Sequence, residues 1–342
     1  MERKVFVELE KNIMNGKMEE SIRQKLLGNL LKMKEQKINL MVTGATGCGK
    51  SSTINALFET EVAKVGTSVD PETMEIEKYE LDNLVIWDTP GLGDGKEADN
   101  RHSKNIIDKL YERDEHENLL IDLVLVILDG STRDLGTSYE LINNVIIPNL
   151  GENKENRILV AINQADVAMK GKYWNEKENK PENELIEFLE AKVKSVRRRI
   201  KEGTGIDIEP IYYSAGYKEE GKLQSRPYNL SKLLYYILQH TPTEKRIVYA
   251  QNMNQTEAMW KDNDDLKDYR KGILESFIGS VVEGISNGVS TGSDIGGEIG
   301  GIFGEVGEMI GSAVGGIIGG VAGAVGGVVN SIGNFFGGIF GW

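Results

Sequence analysis

The stretch Gly44-Ala45-Thr46-Gly47-Cys48-Gly49-Lys50-Ser51 fits the spacing GxxxxGK[ST], with the apolar run Ile38 to Gly44 ahead of it and the helix-like Ser51 to Phe58 behind. That context constrains the fold more than any other feature, because it demands a buried strand, a tight loop and a helix in that order. The glycines let main-chain N–H groups wrap a β-phosphate at the helix N-terminus. On this reading Gly44, Ala45, Thr46, Gly47, Cys48, Gly49, Lys50, Ser51 and Ser52 form the phosphate cradle. Lys50 neutralises the β and γ oxygens, and the Ser51 hydroxyl ligates Mg²⁺.

Four further apolar runs follow, at 84–88, 122–129, 157–163 and 210–215, alternating with longer helical patterns. Such alternation predicts an α/β fold with a mainly parallel sheet between helices. Residues 75–81 alternate in polarity and run into Asp82-Asn83, which predicts an antiparallel edge strand turning into the run that ends at Asp88. The sheet is therefore expected to be mixed.

Three later signals lie at the ends of these runs. Asp88-Thr89-Pro90-Gly91 ends one strand 38 residues after Lys50; Asp88 is placed to hold Mg²⁺ through water, and the Gly91 amide to contact the γ-phosphate. Asn163-Gln164-Ala165-Asp166 matches the [NT][KQ]xD pattern that reads guanine, with Asp166 accepting from the base N1–H and exocyclic amine. Gln164 stands where lysine is commoner, so the stem remains and the charge is lost. Ser214-Ala215 follows the last strand, where main chain can touch guanine O6. Together these motifs predict a guanine nucleotide, GTP or GDP, with Mg²⁺. The threonine that senses Mg²⁺ and the γ-phosphate is placed at Thr73, ahead of the edge strand, with Thr67 and Ser68 as alternatives. Lys50, Thr73 and Gly91 are the residues expected to act on the transferring phosphoryl group, and Ser51, Thr73 and Asp88 to hold the metal.

With these motifs the chain resembles the Era-related and HSR1-related bacterial GTPases, most closely the YfjP-type family, through GATGCGKSSTINALF, VDPETMEIEKYEL, LVIWDTPGLGDGKEADNRHS and AINQADVAMKGKYW. It is also similar to the interferon-inducible, immunity-related GTPases in its P-loop and its threonine-methionine switch. The resemblance covers residues 37–240 and implies a P-loop G domain that hydrolyses GTP. Where Ras-type domains place a water-orienting glutamine, this chain has Leu92, and Gly47 replaces the P-loop asparagine of potassium-dependent relatives. Hydrolysis is therefore expected to be slow without help from Arg101, Arg133 or a second copy of the chain that joins on GTP binding.

The division that follows is 1–36, amphipathic helices with Val5, Leu9, Ile13, Ile22, Leu26, Leu30 and Met33 on their apolar faces; 37–241, the G domain; 242–277, a helical connector; and 278–342, a glycine-rich module. In that last module glycines recur at 307, 311, 315, 319, 323 and 327, and no charged side chain occurs from Met309 to Trp342. A glycine stripe of that period suits close helix packing, and the apolar length exceeds the roughly 20 residues a bilayer core requires. Membrane contact through 296–342 is the favoured expectation, with a hairpin packed on the protein itself and a disordered tail as the alternatives. In the hairpin alternative the chain is a cytosolic assembly factor, for example a ribosome-associated one.

The net charge of −13 disfavours direct nucleic-acid binding, and the basic run Lys192 to Arg199 reads as a solvated helix face. One cysteine and an N-terminus without a continuous apolar core lead to the expectation of a cytoplasmic protein, with membrane association through the tail. His102, His116 and His240 are scattered and are read as solvated or structural.

Overall fold

The structure is a computed structural model that describes residues 4–15, 20–58, 75–92, 95–216, 225–286, 333 and 336–340. Thr67, Ser68, Thr73 and the glycine stripe at 307–327 lie outside the described residues. Along the chain, α1 (Lys4–Asn15) and α2 (Glu20–Glu35) precede β1 (Ile38–Gly44), α3 (Lys50–Phe58), β2 (Glu77–Leu81), β3 (Leu84–Asp88), α4 (Lys96–Tyr111) and β4 (Leu123–Asp129). Then come α5 (Gly136–Glu140), β5 (Ile158–Asn163), β6 (Trp174–Asn175), β7 (Lys180–Pro181), α6 (Asn183–Thr204), β8 (Ile211–Tyr212), α7 (Leu230–Gln239), α8 (Ile247–Asn252) and α9 (Tyr269–Ser286).

The chain divides into two compact units. One comprises residues 38–241 together with 252–267, and is built on a six-stranded sheet of order β2-β3-β1-β4-β5-β8. β1 pairs in parallel with β3 and β4, β4 with β5, and β5 with β8, while β2 runs antiparallel to β3. The mixed, mainly parallel sheet is the P-loop fold the motifs demanded. β1 and β5 are buried at every position and β4 at all but its last. Strands covered by helices on both faces need that continuous apolar character, whereas β2 at the edge is exposed or half-exposed throughout.

Three details depart from a plain reading of the sequence. The last apolar run forms only a two-residue strand, with Ser214 joining Tyr228 in an isolated antiparallel bridge. A small hairpin, β6 against β7, is inserted between β5 and α6. Residues 252–267, within the expected helical connector, group with the sheet: the Asn254 N–H donates to the Leu57 carbonyl at 2.8 Å, and Asn229 accepts from the Asp264 N–H at 2.9 Å. Lys192 to Arg199 falls on α6, where Arg197 pairs with Asp207 at 2.7 Å and Arg199 lies over the Tyr139 ring. Lys194 and Arg197 to Arg199 are exposed there, as the composition suggested, whereas Lys192 at the start of the run is half-buried.

The other unit comprises residues 1–37, 242–251 and 268–342. Within it, α1 buries Phe6, Leu9 and Ile13, α2 buries Leu26, Leu30 and Met33, and α9 buries Ile273, Phe277, Ile278 and Val281. These are faces spaced three or four residues apart, as amphipathic helices require. Phe336 stacks on Phe277 at 4.8 Å, and the Arg270 guanidinium donates to the Phe340 carbonyl at 3.0 Å.

Candidate functional site

Parallel strands deliver their carboxyl ends to one edge of the sheet, and a ligand site forms where the strand order reverses. Here β1 ends at Gly44, β3 at Asp88, β5 at Asn163, and β8 feeds the Ser214-Ala215 loop. Four separate sequence signals are thereby brought to one edge.

Within the loop 44–50, Gly44, Gly47 and Gly49 adopt φ of 150°, 80° and 90°. A Cβ at Gly44 would lie 2.2 Å from the Ile127 carbonyl oxygen, and one at Gly49 would lie 2.3 Å from Asn163 Nδ2, so side chains are excluded by space as well as by backbone. Cys48 is fully buried and burial pushes its thiol pKa up, which makes it a small filler rather than a nucleophile. Lys50 reaches back to the Gly44 carbonyl across 3.4 Å, a long contact that an incoming anion can replace. Thr53, one turn into α3, donates to or accepts from the buried Tyr213 hydroxyl at 2.7 Å and thereby ties α3 to the segment after β8.

Asp88 is 2 % exposed, and its Oδ1 is buried with no hydrogen-bond partner among the described residues. Burial pushes its pKa up to about 6, with Lys50 opposing and Glu77 adding to the rise. A carboxylate held dry and unpartnered beside a lysine suits a hydrated divalent cation, whose charge would supply what the surroundings lack. Next to it, the Thr89 N–H donates to the Val42 carbonyl at 3.1 Å and its hydroxyl to Thr43 Oγ1 at 2.8 Å. Gly91 lies directly against Thr46: a Cβ there would meet Thr46 Oγ1 at 2.3 Å and its main-chain nitrogen at 2.5 Å.

On the other side, Asn163 joins three segments. Its Nδ2 donates to the Cys48 carbonyl at 2.9 Å, its Oδ1 accepts from the Ala215 N–H at 2.9 Å, and its own carbonyl accepts from the Gly130 N–H at 2.8 Å. Gln164, at φ 62°, donates from Nε2 to the Gly47 carbonyl at 2.8 Å. The neutral side chain thus spans the distance to the phosphate loop without a charge. Asp166 is half-exposed. Its carboxylate takes no hydrogen bond from the described residues, which leaves both oxygens available to a ligand.

Two residues that the sequence reading set aside belong to this neighbourhood. His102 is 1 % exposed rather than solvated, and its Nδ1 lies 3.2 Å from the Gly91 carbonyl oxygen. The detectable signal was its place in the stripe His102-Ile106-Leu110, a polar residue on an otherwise apolar face of α4. Lys192 donates to the carbonyls of Asp129, Gly130 and Thr132 at 3.2, 2.6 and 2.6 Å, holding the loop after β4 on which Asn163 leans. No local pattern announces that contact. Leu92 is buried, packed in the same apolar cluster as Ile106, Leu110 and Leu128. Arg101 and Arg133 are exposed, and neither makes a hydrogen bond or ion pair among the described residues.

A phosphate loop on β1, a buried acid on β3 and an Asn-Gln-x-Asp turn on β5, joined through Asn163, define a P-loop nucleotide-binding domain of the G type. Residues 39–164 match the family model described as 50S ribosome-binding GTPase (MMR_HSR1), a span that takes in the phosphate loop and Asp88 and ends within the Asn-Gln-x-Asp turn, at Gln164. Among curated relatives, the septin homolog spn6 of Schizosaccharomyces pombe is 36 % identical over 109 residues, 27 % of each chain. Interferon-inducible GTPase 1 of Mus musculus is 39 % identical over 83 residues, 22 % of this chain and 20 % of that protein. YfjP of Escherichia coli (strain K12) is 30 % identical over 131 residues, 37 % of this chain and 41 % of that protein. The chain thus spans between a fifth and about two fifths of the length of these relatives, and the likeness is one of the GTPase domain.

Proposed function

We propose that residues 37–241 bind GTP and GDP with Mg²⁺ and hydrolyse GTP to GDP and phosphate, slowly in the isolated chain. The observation that carries this reading is Asp88, a buried carboxylate with an unpartnered oxygen beside Lys50 at the mouth of the phosphate loop. Mg²⁺, when bound, would neutralise charge as it develops on the transferring phosphoryl group. Gly44 to Ser52 cradle the phosphates, Lys50 places its ammonium between β and γ oxygens, and Ser51 and Asp88 hold the metal, with Thr73 completing that set from the segment ahead of β2. The Gly91 N–H meets the γ-phosphate. Asp166 reads the guanine edge, while Asn163, Gln164, Ser214 and Ala215 fix the loops around the base. The burial of Leu92 leaves no side chain at that position to orient water, which supports slow turnover and assistance from a second copy.

The output of this switch is proposed to be membrane association or assembly through residues 296–342, on the strength of the uncharged, glycine-phased stretch from Met309 to Trp342. Among the described residues, no helix is long and apolar enough to cross a membrane. The test is liposome co-sedimentation of the full chain with a non-hydrolysable GTP analogue, with GDP and without nucleotide, with Lys50→Ala as control and GTP turnover measured alongside. Binding that requires the analogue and Lys50 supports the switch; sedimentation that is absent in every state favours a cytosolic assembly role. A chain that neither binds nor hydrolyses GTP overturns the reading as a whole.

A further inference from the structure

We infer that His102 is the positioning residue through which the Gly91 main chain and helix α4 move together, so that a γ-phosphate met at Gly91 is transmitted to α4. The inference rests on the nucleotide reading given above and adds a residue to it.

The segment from Thr89 to Leu92 is anchored at both ends. Thr89 is fixed to β1 through its N–H to the Val42 carbonyl at 3.1 Å and its hydroxyl to Thr43 at 2.8 Å. Leu92 is fixed by burial among Ile106, Leu110 and Leu128. Between these anchors stand Pro90, whose ring fixes φ, and Gly91, which carries no side chain to restrict its dihedrals. Gly91 lies against Thr46 of the phosphate loop. A group entering at Thr46 therefore displaces or engages Gly91 before anything else in the segment.

His102 holds the far side of Gly91. A carbonyl oxygen only accepts, so the 3.2 Å contact requires a proton on Nδ1, and in the neutral ring Nε2 is then a bare acceptor. Nε2 is buried and has no partner among the described residues. Buried polar atoms are nearly always paired, and leucine would continue the stripe of Ile106 and Leu110 with no unpaired nitrogen. The imidazole is thus incompletely satisfied in the observed pose while joining α4 to the Gly91 carbonyl, between the anchored Thr89 and Leu92. Those two facts together describe a coupling contact rather than a filler. Turning the Gly91–Leu92 peptide pulls on the ring, and the ring is part of α4.

Affinities of the full chain for fluorescent GDP and for a non-hydrolysable GTP analogue, in wild type, His102→Leu and His102→Asn, test this. His102→Leu should weaken the analogue about tenfold and leave GDP within about twofold, and His102→Asn, whose amide can donate from the Nδ1 position, should restore most of the loss. Equal losses for both nucleotides, no loss, or tighter analogue binding overturns the inference. Wild type supplies a second readout if the leucine variant does not fold. The sequence has three histidines, so imidazole ¹⁵N spectra can be assigned. The His102 ring should be the Nδ1-protonated tautomer with GDP and should change on exchange for the analogue, while His240, whose Nδ1 lies 2.8 Å from the Tyr236 carbonyl oxygen within α7, stays fixed. An unchanged His102 signal overturns the inference even with nucleotide bound, whereas a wild-type chain that binds neither nucleotide removes the underlying reading.

Discussion

Asn163 donates from its side chain to the Cys48 carbonyl at 2.9 Å, so the end of β5 is fastened to the middle of the phosphate loop. The same amide oxygen takes the Ala215 N–H at 2.9 Å. One side chain therefore sets the distance between the phosphate cradle and both loops proposed to surround the base. Asn163→Ala leaves two buried main-chain groups without partners, about 1–3 kcal/mol each. GDP affinity measured by fluorescence titration should fall between about tenfold and a hundredfold. The thermal midpoint should fall by a few degrees.

Asp88 makes stability depend on pH in a direction opposite to that of an ordinary paired carboxylate. Its folded pKa of about 6 stands above its ordinary 3.8, so between those values the folded chain binds the proton more tightly than the unfolded chain. Stability therefore falls as pH rises from about 4 to about 6, by at most about 3 kcal/mol, and the penalty is complete above that window. Urea unfolding across pH should show this component in wild type and lack it in Asp88→Asn. The same variant should lose the Mg²⁺ dependence of nucleotide affinity.

Restoring a Ras-type glutamine at position 92 should not restore fast hydrolysis. Leu92 is buried in the apolar cluster beside Ile106 and Leu110, so the new amide would enter the core rather than the catalytic mouth. Leu92→Gln should lower stability by about 1–3 kcal/mol, with single-turnover GTP hydrolysis no faster than wild type. A clear acceleration would show that the side chain swings out to the nucleotide.

Gln164 holds the Gly47 carbonyl at 2.8 Å from a left-handed backbone, φ 62°. Lysine can donate to the same oxygen from the same position, whereas alanine cannot. Gln164→Lys should keep GDP affinity within about threefold, and Gln164→Ala should lose roughly three- to tenfold, consistent with one hydrogen bond of about 1 kcal/mol. Isothermal titration with GDP separates the two.

Much of the domain was legible because its signals are local. The phosphate loop needs glycines at fixed spacing, and the strand before it needs an unbroken apolar run; both are properties of consecutive residues. The mixed sheet could be read from the alternation of Glu75 to Leu81 beside the continuous apolar runs, since edge and interior strands meet different surroundings. The basic run on α6 was likewise readable as a solvated face, because its acidic partners Glu202 and Asp207 lie within ten residues of the arginines they meet.

Contacts between distant segments were not legible. His102 looked like one of three scattered histidines until α4 packed over the end of β3. Lys192 looked like the start of a basic run, yet its ammonium is spent on three carbonyls some 60 residues earlier in the chain. Residues 252–267 carried a charged, helix-like composition but are held against α3 and the start of α7 by hydrogen bonds to Leu57 and Asn229 that no local pattern encodes.

The sequence by itself determined the kind of fold and which residues stand at each strand end, because glycine spacing, apolar runs and the Asp and Asn-Gln-x-Asp signals act through neighbouring residues. Only the tertiary structure decided which of those residues touch. The unpartnered oxygen of Asp88, the bridging role of Asn163, the inward turn of Leu92 and the hold of His102 on Gly91 all depend on packing between segments far apart in the chain. In that packing burial and geometry, rather than residue type, set what each group can do.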